Sequence, residues 1–157
     1  MGLQTLWPIG GQDPPRSLPA AAHARLVRRV IEEIWNDGEL DLADRLFAPG
    51  YVNHGGLIPD LVRGPEAIKL SVVLYRTAFP HFRVAVLDLV AQGPLVALRW
   101  AAHQTPAHAG VRDQEAGPST AEPLLGMTFG RLEGGQVVES WTCWERGGGR
   151  SSLVAEA

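Results

Sequence analysis

The chain has 157 residues, of which 45% are hydrophobic and 20% are charged, and these values fit one domain with a proper core. The net charge is −3 and Lys and Arg are scattered, so the sequence excludes the basic surface typical of proteins that bind nucleic acid or anionic membranes. The sequence contains no run of about 18 apolar residues, so it predicts no membrane-spanning helix. The single cysteine, Cys143, cannot form an internal disulfide, which favours a reduced, cytoplasmic location.

The first third of the chain is predicted to be irregular and then helical. Residues 1–19 contain four prolines and are expected to form an irregular arm rather than a signal peptide, and residues 20–157 are expected to form a single domain. Ala20–Trp35 has apolar residues at one–four–five spacing, which predicts an amphipathic helix. A shorter helix is predicted over Leu40–Phe47, and Tyr51–His54 is predicted to be extended.

The apolar pattern changes from helix to sheet near Pro80. Gly64-Pro65-Glu66 begins a helix that is predicted to end at Phe79, because proline is favoured at the first helical position. Alternating patterns then predict the strands Phe82–Ala91, Leu95–His103, Leu124–Glu133 and Gln136–Glu145. The Gly134-Gly135 pair predicts a hairpin between the last two. Helices followed by a meandering antiparallel sheet predict an α+β fold, with helices packed on one face of a curved sheet.

One long segment has neither pattern. Gln104–Pro123 lacks helical and strand periodicity, and a structureless stretch near 20 residues is uncommon in a compact domain. It is expected to be a functional lid or a segment that a partner orders.

Alternation also predicts which side chains of the strands face inward. On the first strand the inward set is Phe82, Val84, Val86 and Val90. Asp88 falls on the same face and is expected in a pocket or at the sheet margin, with the pocket preferred. On the next strand the inward set is Val96, Leu98 and Trp100, which leaves Arg99 and His103 on the opposite face.

The last hairpin predicts a close pairing of large and small residues. With a two-residue turn and no bulge, Thr128 lies opposite Trp141, and Gly126 and Gly130 on either side leave room for the indole. Cys143 on the last strand is expected to be an inert core thiol.

The histidines do not predict a metal site. The five histidines show no HExxH-like or other ligand spacing. His23 and His81 are expected on the surface.

Several motifs, in this order and spacing, resemble the SnoaL-like polyketide cyclases. They are Ile34–Leu40, Leu46–His54, Arg63–Ala67, Ala78–Pro80, His108–Gly110, Gly117–Thr120 and Arg131–Trp141. The resemblance implies the nuclear transport factor 2-like fold, a cone in which a strongly bent sheet wraps around helices and leaves a deep pocket at one end. It also implies a homodimer with no metal or organic cofactor. Members include aldol cyclases, epoxide hydrolases and isomerases, so the fold alone fixes no chemistry.

The resemblance also implies candidate catalytic residues. Cyclases of the family carry an acid/base aspartate on the last strand, and alignment on Gly135 places Thr142 there. A threonine hydroxyl donates a hydrogen bond but scarcely ionises near pH 7. His54 matches a histidine common in the family, and Glu145 lies where many members carry an acid, so these two are the candidates for proton transfer. The alternatives are a histidine bonded to backbone and a solvated glutamate at a strand end.

Aromatic residues predict the wall of a pocket for a small apolar or aromatic ligand. The predicted substrate-binding residues are Trp35, Tyr51, Asp88, Phe129, Trp141, Thr142 and Trp144, and Tyr75 and Trp100 are further candidates, although most such aromatics are simply core. The expected function is a cyclase or related acid/base enzyme acting on an apolar carbonyl substrate. The alternative is a non-catalytic ligand-binding or dimerisation module that has lost the catalytic acid.

Overall fold

The computed structural model describes residues 18–55, 62–79, 81–103 and 123–146. These ranges form helices and a curved, open five-stranded sheet, which confirms the predicted α+β class. The elements are helices α1 (Ala20–Arg29), α2 (Ala43–Leu46) and α3 (Pro65–Ala78) and strands β1 (Phe47–His54), β2 (Arg83–Gln92), β3 (Leu95–His103), β4 (Leu124–Glu133) and β5 (Gln136–Arg146). Most of the predicted arm and of Gln104–Pro123 lies outside the described residues. None of the helices in these ranges is long and apolar enough to cross a membrane.

The first predicted helix continues past α1 as a π-helical segment, Val30–Asn36, and so ends one residue beyond the predicted Trp35. Arg76 of α3 donates to the carbonyl oxygens of Trp35 and Asn36 at 3.3 and 2.5 Å, which satisfies acceptors that a helix end leaves unpaired. The side chain of Asn36 exchanges two hydrogen bonds, of 2.9 and 2.7 Å, with the backbone of Val84. These contacts fix the end of the first helix to both α3 and β2.

The strands are ordered β1-β5-β4-β3-β2, and every neighbouring pair is antiparallel except β1 and β5, which are parallel. The predicted extended segment Tyr51–His54 is therefore the end of an edge strand. That strand begins at Phe47, where the sequence predicted the end of a helix; α2 ends at Leu46. Pro49 lies within β1, where the pairing shifts between Phe47 and Val52, as an edge strand permits.

A bulge in β2 changes which of its residues face inward. Val86 pairs with Trp100, but the next pair is Asp88 with Arg99, so Leu87 has no counterpart on β3. One extra residue on one strand turns every later side chain to the other face.

This bulge corrects the predicted positions of Asp88 and Val90, which were placed on the inner face. Asp88 lies on the outer face in an ion pair with Arg99 at 2.6 Å, and Val90 is 67% exposed. Leu89 and Ala91 take the inner positions and pack against the core. The face predicted for β3 is confirmed, with Arg99 exposed on the outside.

The last hairpin has the predicted two-residue turn but not the predicted register. Gly134 and Gly135 have φ values of 57° and 82°, a region that glycine adopts without strain. Arg131 pairs with Glu139, whereas the next residue on β4 pairs with Val137. The pairing passes over Val138 on β5, and this bulge shifts the rest of the hairpin by one position.

The shift changes the neighbours of Gly126. Thr128 lies opposite Thr142 and not opposite Trp141, as was predicted. The space at Gly126 is filled from the other side by Trp100 of β3, because a Cβ atom at Gly126 would lie 2.2 Å from an indole carbon.

The predicted exposure of two further residues, His23 and Cys143, is also corrected. His23, predicted at the surface, is 1% exposed, and its Nδ1 lies 2.7 Å from the carbonyl oxygen of Gly93. Cys143, predicted in the core, is exposed, because it faces outward from β5. His81 is exposed, as predicted.

Candidate ligand-binding site

A cavity of about 140 Å³ lies between the helices and the inner face of the sheet. Most of its wall is apolar and comes from the first helix, α3 and the inner strand faces: Val27, Val30, Ile31, Ile68, Val84, Val96, Leu98, Ala102, Leu124, Leu132 and Val137. An apolar cavity of about 150 Å³ can hold a benzene molecule. The cavity is therefore large enough to enclose one aromatic ring.

Aromatic side chains line part of the cavity. Trp35, Tyr75 and Phe82 contact one another with ring centroids 5.2 to 6.0 Å apart. Burial raises the pKa of Tyr75. Trp144 of β5 also lines the cavity while remaining 42% exposed, which places it at the opening. This arrangement suits a flat, apolar ring.

One polar cluster in the wall joins β1 to β5. The Tyr51 hydroxyl lies 2.7 Å from Ser140 Oγ, and Ser140 donates to Asn53 Oδ1 at 3.2 Å. Burial raises the pKa of Tyr51 to about 12, and the hydrogen bond with Ser140 opposes that rise. The cluster is therefore uncharged at neutral pH.

A second polar cluster joins β3, β4 and β5. The indole N–H of Trp100 donates to Thr128 Oγ1 at 3.0 Å, and Thr128 Oγ1 lies 3.1 Å from Thr142 Oγ1. All three side chains line the cavity.

The described wall carries no charge. Among the residues that the structure describes, the cavity is lined by no Asp, Glu, His, Lys or Arg, and its only titratable groups are Tyr51 and Tyr75. No cluster of three or more His, Cys, Asp or Glu side chains suitable for a metal ion occurs in those ranges either. These side chains can polarise a carbonyl group by hydrogen bonding, but none of them titrates near pH 7.

Comparison with known proteins gives the family. The SnoaL-like polyketide cyclase family matches residues 25–149. The chain belongs to the SnoaL-like polyketide cyclase family. Comparison with the curated proteins gave no match.

Solved structures share this fold. IdmH from Streptomyces antibioticus, a candidate polyketide cyclase, is 26% identical, with 77% of this chain and 90% of that chain covered and a TM-score of 0.61. TsrD from Streptomyces laurentii is 16% identical, with coverage of 82% and 91% and a TM-score of 0.65. A candidate ketosteroid isomerase from Kribbella flavida is 17% identical, with coverage of 88% and 91% and a TM-score of 0.58.

The structure of this SnoaL-like domain divides the predicted site residues into two groups. Trp35, Tyr51, Thr142 and Trp144 line the cavity. The other five do not: Asp88, Phe129, Trp141, His54 and Glu145. Phe129 and Trp141 are 39% and 40% exposed and pack together on the outer face of the sheet, with ring centroids 5.9 Å apart.

The predicted catalytic pair is not brought together. The His54 ring stacks on Trp141 at 5.3 Å, and its Nε2–H donates to Glu139 Oε1 at 2.9 Å. His54 pairs with Trp141 across the strands, and Glu145 is four residues further along β5, a distance of about 13 Å. His54 and Glu145 therefore occupy separate positions outside the described cavity wall.

Four polar residues of the wall were not predicted as site residues: Asn53, Ser71, Thr128 and Ser140. Ser71 lies on α3 and donates to the carbonyl oxygen of Ala67, and the other three resemble ordinary strand residues. Ser140 is two residues from Thr142 on β5, so the alternation of a strand would have placed both on the same face. Asn53 is likewise two residues from the predicted Tyr51 on β1, so alternation offered the same signal, although the face that turns inward depends on the parallel pairing of β1 with β5.

Glu139, on the outer face of the sheet, is expected to make the stability of the fold depend on pH. The hydrogen bond from His54, and then Arg131, hold the pKa of the Glu139 carboxyl below its usual value, although partial burial opposes this. A depressed folded-state pKa stabilises the fold above the unfolded value of about 4.3 and ceases to do so as pH falls through the folded value.

Glu139→Gln is therefore expected to lower the free energy of unfolding at pH 7 by less than about 1 kcal/mol, since the Glu139 side chain is 25% exposed. The gap from wild type should narrow as pH falls below the unfolded value of about 4.3 and close below the folded pKa. Urea denaturation from pH 3 to pH 8 measures this, with Glu133→Gln, at a more exposed carboxylate, as the control. A gap that stays constant with pH would contradict it.

Proposed function

We propose that this SnoaL-like domain binds a neutral, largely apolar carbonyl compound of small-molecule metabolism in its cavity. The uncharged wall is the observation that carries this proposal. Moving a charged group from water into such a site costs several kcal/mol without a partner, whereas a neutral ring loses only unfavourable contact with water. Thr142, at the position of the family's acid, adds a hydroxyl without a charge. The single cysteine favours a cytoplasmic setting for this role.

A cyclase-type reaction is the second candidate. It is supported by membership of the family and by the likeness to IdmH, a candidate polyketide cyclase. The hydroxyl group of Thr142 would donate a hydrogen bond to a forming alkoxide, which is the kind of stabilisation that acyl and aldol chemistry uses. Proton transfer by His54 or Glu145 would have to act from outside the described wall. A non-catalytic binding role needs no such group, so we place it first.

Acetophenone and benzoate test the ligand class, because they have similar shapes and differ in charge. Acetophenone is expected to bind at least about tenfold more tightly, since benzoate would lose its hydration without gaining a cation. Two-dimensional NMR titration measures both dissociation constants. Equal affinity for the two compounds, or tighter binding of benzoate, would contradict the proposal.

Matched variants locate the binding site. Val84→Phe adds volume inside the cavity and should abolish acetophenone binding, whereas Ala85→Phe, on the exposed outer face of the same strand, should not. Incubation of the wild type with aromatic aldol precursors separates the two candidate functions, because product formation would favour the cyclase.

We also propose that the chain forms a homodimer through the outer face of its sheet. Met127, Phe129 and Trp141 are 41%, 39% and 40% exposed there, and helices cover only the other face. Arg99 lies on this outer face, and Trp100 on the inner one.

Trp141→Glu is expected to convert the dimer to monomer at micromolar concentration, because it places a charge in the apolar patch. Leu74→Glu is the control, since Leu74 is exposed on α3, on the opposite side of the sheet from the patch. Sedimentation velocity distinguishes the species. A wild type that sediments only as a monomer would count against the dimer.

A further inference from the structure

The two polar clusters of the cavity differ in what they leave free for a ligand. Ser140 has one hydroxyl proton, which it donates to Asn53 Oδ1, so Tyr51 must be the donor in its own bond to Ser140. The hydroxyl protons of Tyr51 and Ser140 are then both donated within the cluster, and neither is left for a ligand. The oxygen of Tyr51 retains lone pairs and can accept a further hydrogen bond.

The second cluster, by contrast, retains one hydroxyl proton that no bond within the cluster uses. The indole of Trp100 can only donate, so Thr128 accepts from it. The bond between Thr128 and Thr142 uses one of their two hydroxyl protons. A chain in which each hydroxyl accepts on one side and donates on the other is mutually reinforcing, which orders the donors from Trp100 to Thr128 to Thr142. The remaining proton is then on Thr142.

The spacing of the clusters follows from the strand. Ser140 and Thr142 are two residues apart on β5 and line the same cavity. Side chains at that separation lie roughly 7 Å apart. The cavity thus presents an acceptor, the Tyr51 hydroxyl oxygen beside Ser140, and a donor at Thr142.

We infer that the cavity selects a neutral ring compound that carries a hydroxyl group at one end and a carbonyl group at the other, with the hydroxyl donating to Tyr51 and the carbonyl accepting from Thr142. 4-Hydroxyacetophenone carries its hydroxyl and carbonyl groups at opposite ends of one ring, as Tyr51 and Thr142 bond to different clusters of the wall. This inference rests on the proposed function, because it assigns the ligand of the same cavity.

Four probes test the inference on the wild type by NMR titration. Binding should strengthen from ethylbenzene to acetophenone to 4-hydroxyacetophenone, by about three- to tenfold for each added hydrogen bond. The isomer 2′-hydroxyacetophenone, whose hydroxyl group donates a hydrogen bond to its own carbonyl oxygen, should bind no better than acetophenone.

Two variants assign the groups. Thr142→Val should weaken binding of acetophenone and 4-hydroxyacetophenone about three- to tenfold, because it removes the proposed donor to the carbonyl group. Ethylbenzene, which has no carbonyl group, should bind unchanged, because valine keeps nearly the same volume. Tyr51→Phe should abolish the preference for 4-hydroxyacetophenone over acetophenone.

The outcomes separate two kinds of failure. If ethylbenzene and acetophenone bind but the 4-hydroxy compound binds no tighter, this inference is overturned and the proposed function stands. If none of the four binds, both are overturned. A variant that weakens all ligands equally would assign its residue a purely structural role and overturn the assignment made here.

Discussion

Gly126→Ala is expected to lower the free energy of unfolding by about 1–3 kcal/mol, although it adds only one methyl group. The new Cβ atom would lie 2.2 Å from one carbon of the Trp100 indole and 2.5 and 2.6 Å from two others. The indole is held by its hydrogen bond to Thr128 and lines the cavity, so it cannot turn away without losing that bond. Chemical denaturation measures the loss, and ligand binding should weaken with it.

Gly130 supplies the matched control on the same strand and the same face. A Cβ atom there would have no neighbour closer than 3.9 Å. Gly130→Ala is expected to be neutral or slightly stabilising, because alanine loses less backbone entropy than glycine on folding. Trp100→Phe should rescue Gly126→Ala in part, since phenylalanine lacks the second ring. Equal losses at the two glycines would show that the contact with Trp100 is not the cause.

Thr142→Asp is expected to fold with a modest loss of stability and to gain aldol-type activity on an aromatic precursor. It introduces a carboxyl group at the position that the resemblance predicts for the catalytic aspartate of the cyclases. An aspartate there would be partly desolvated beside Trp144 and Thr128, so its pKa should lie above the usual value of about 3.9. We expect the loss at pH 7 to be about 1–3 kcal/mol.

Thr142→Asn is the control, since it has nearly the same shape without a charge. A folded-state pKa above the unfolded value means that the folded aspartate variant binds the extra proton more tightly. Relative to Thr142→Asn, its stability should be greatest below about pH 3.9 and should fall as pH rises through the folded pKa. A pH-independent difference would show that the new carboxyl remains in water. A folded but inert variant would favour the binding role.

Regular strands were predictable because their side chains alternate. Val96, Leu98 and Trp100 share a face on β3, as predicted. On β5, Thr142 and Trp144 share the inner face, whereas Trp141, which was also predicted in the site, lies on the outer face. The rule failed for Asp88, because the bulge at Leu87 arises from pairing with β3 and leaves no local pattern in β2.

The candidate site was less predictable than the fold for a related reason. Alternation places Tyr51 and His54 on opposite faces of β1, but it does not tell which of the two faces turns inward. His54 turned out to lie beside Asn53 but on the outer face, because the parallel register of β1 with β5 sets that choice. Such a register depends on residues far apart in the chain, which single-sequence periodicity does not reach.

The parallel pairing of β1 with β5 has a kinetic consequence. The hydrogen bond between Tyr51 and Ser140 joins residues 89 positions apart, whereas β4 and β5 pair across a two-residue turn. Contacts between distant residues carry the larger loop-closure cost, so the hairpin should form early and β1 should dock late during folding. A ribosome-bound chain could not complete the cavity until β5 had emerged. Substitutions at Tyr51 should accordingly speed unfolding more than they slow folding.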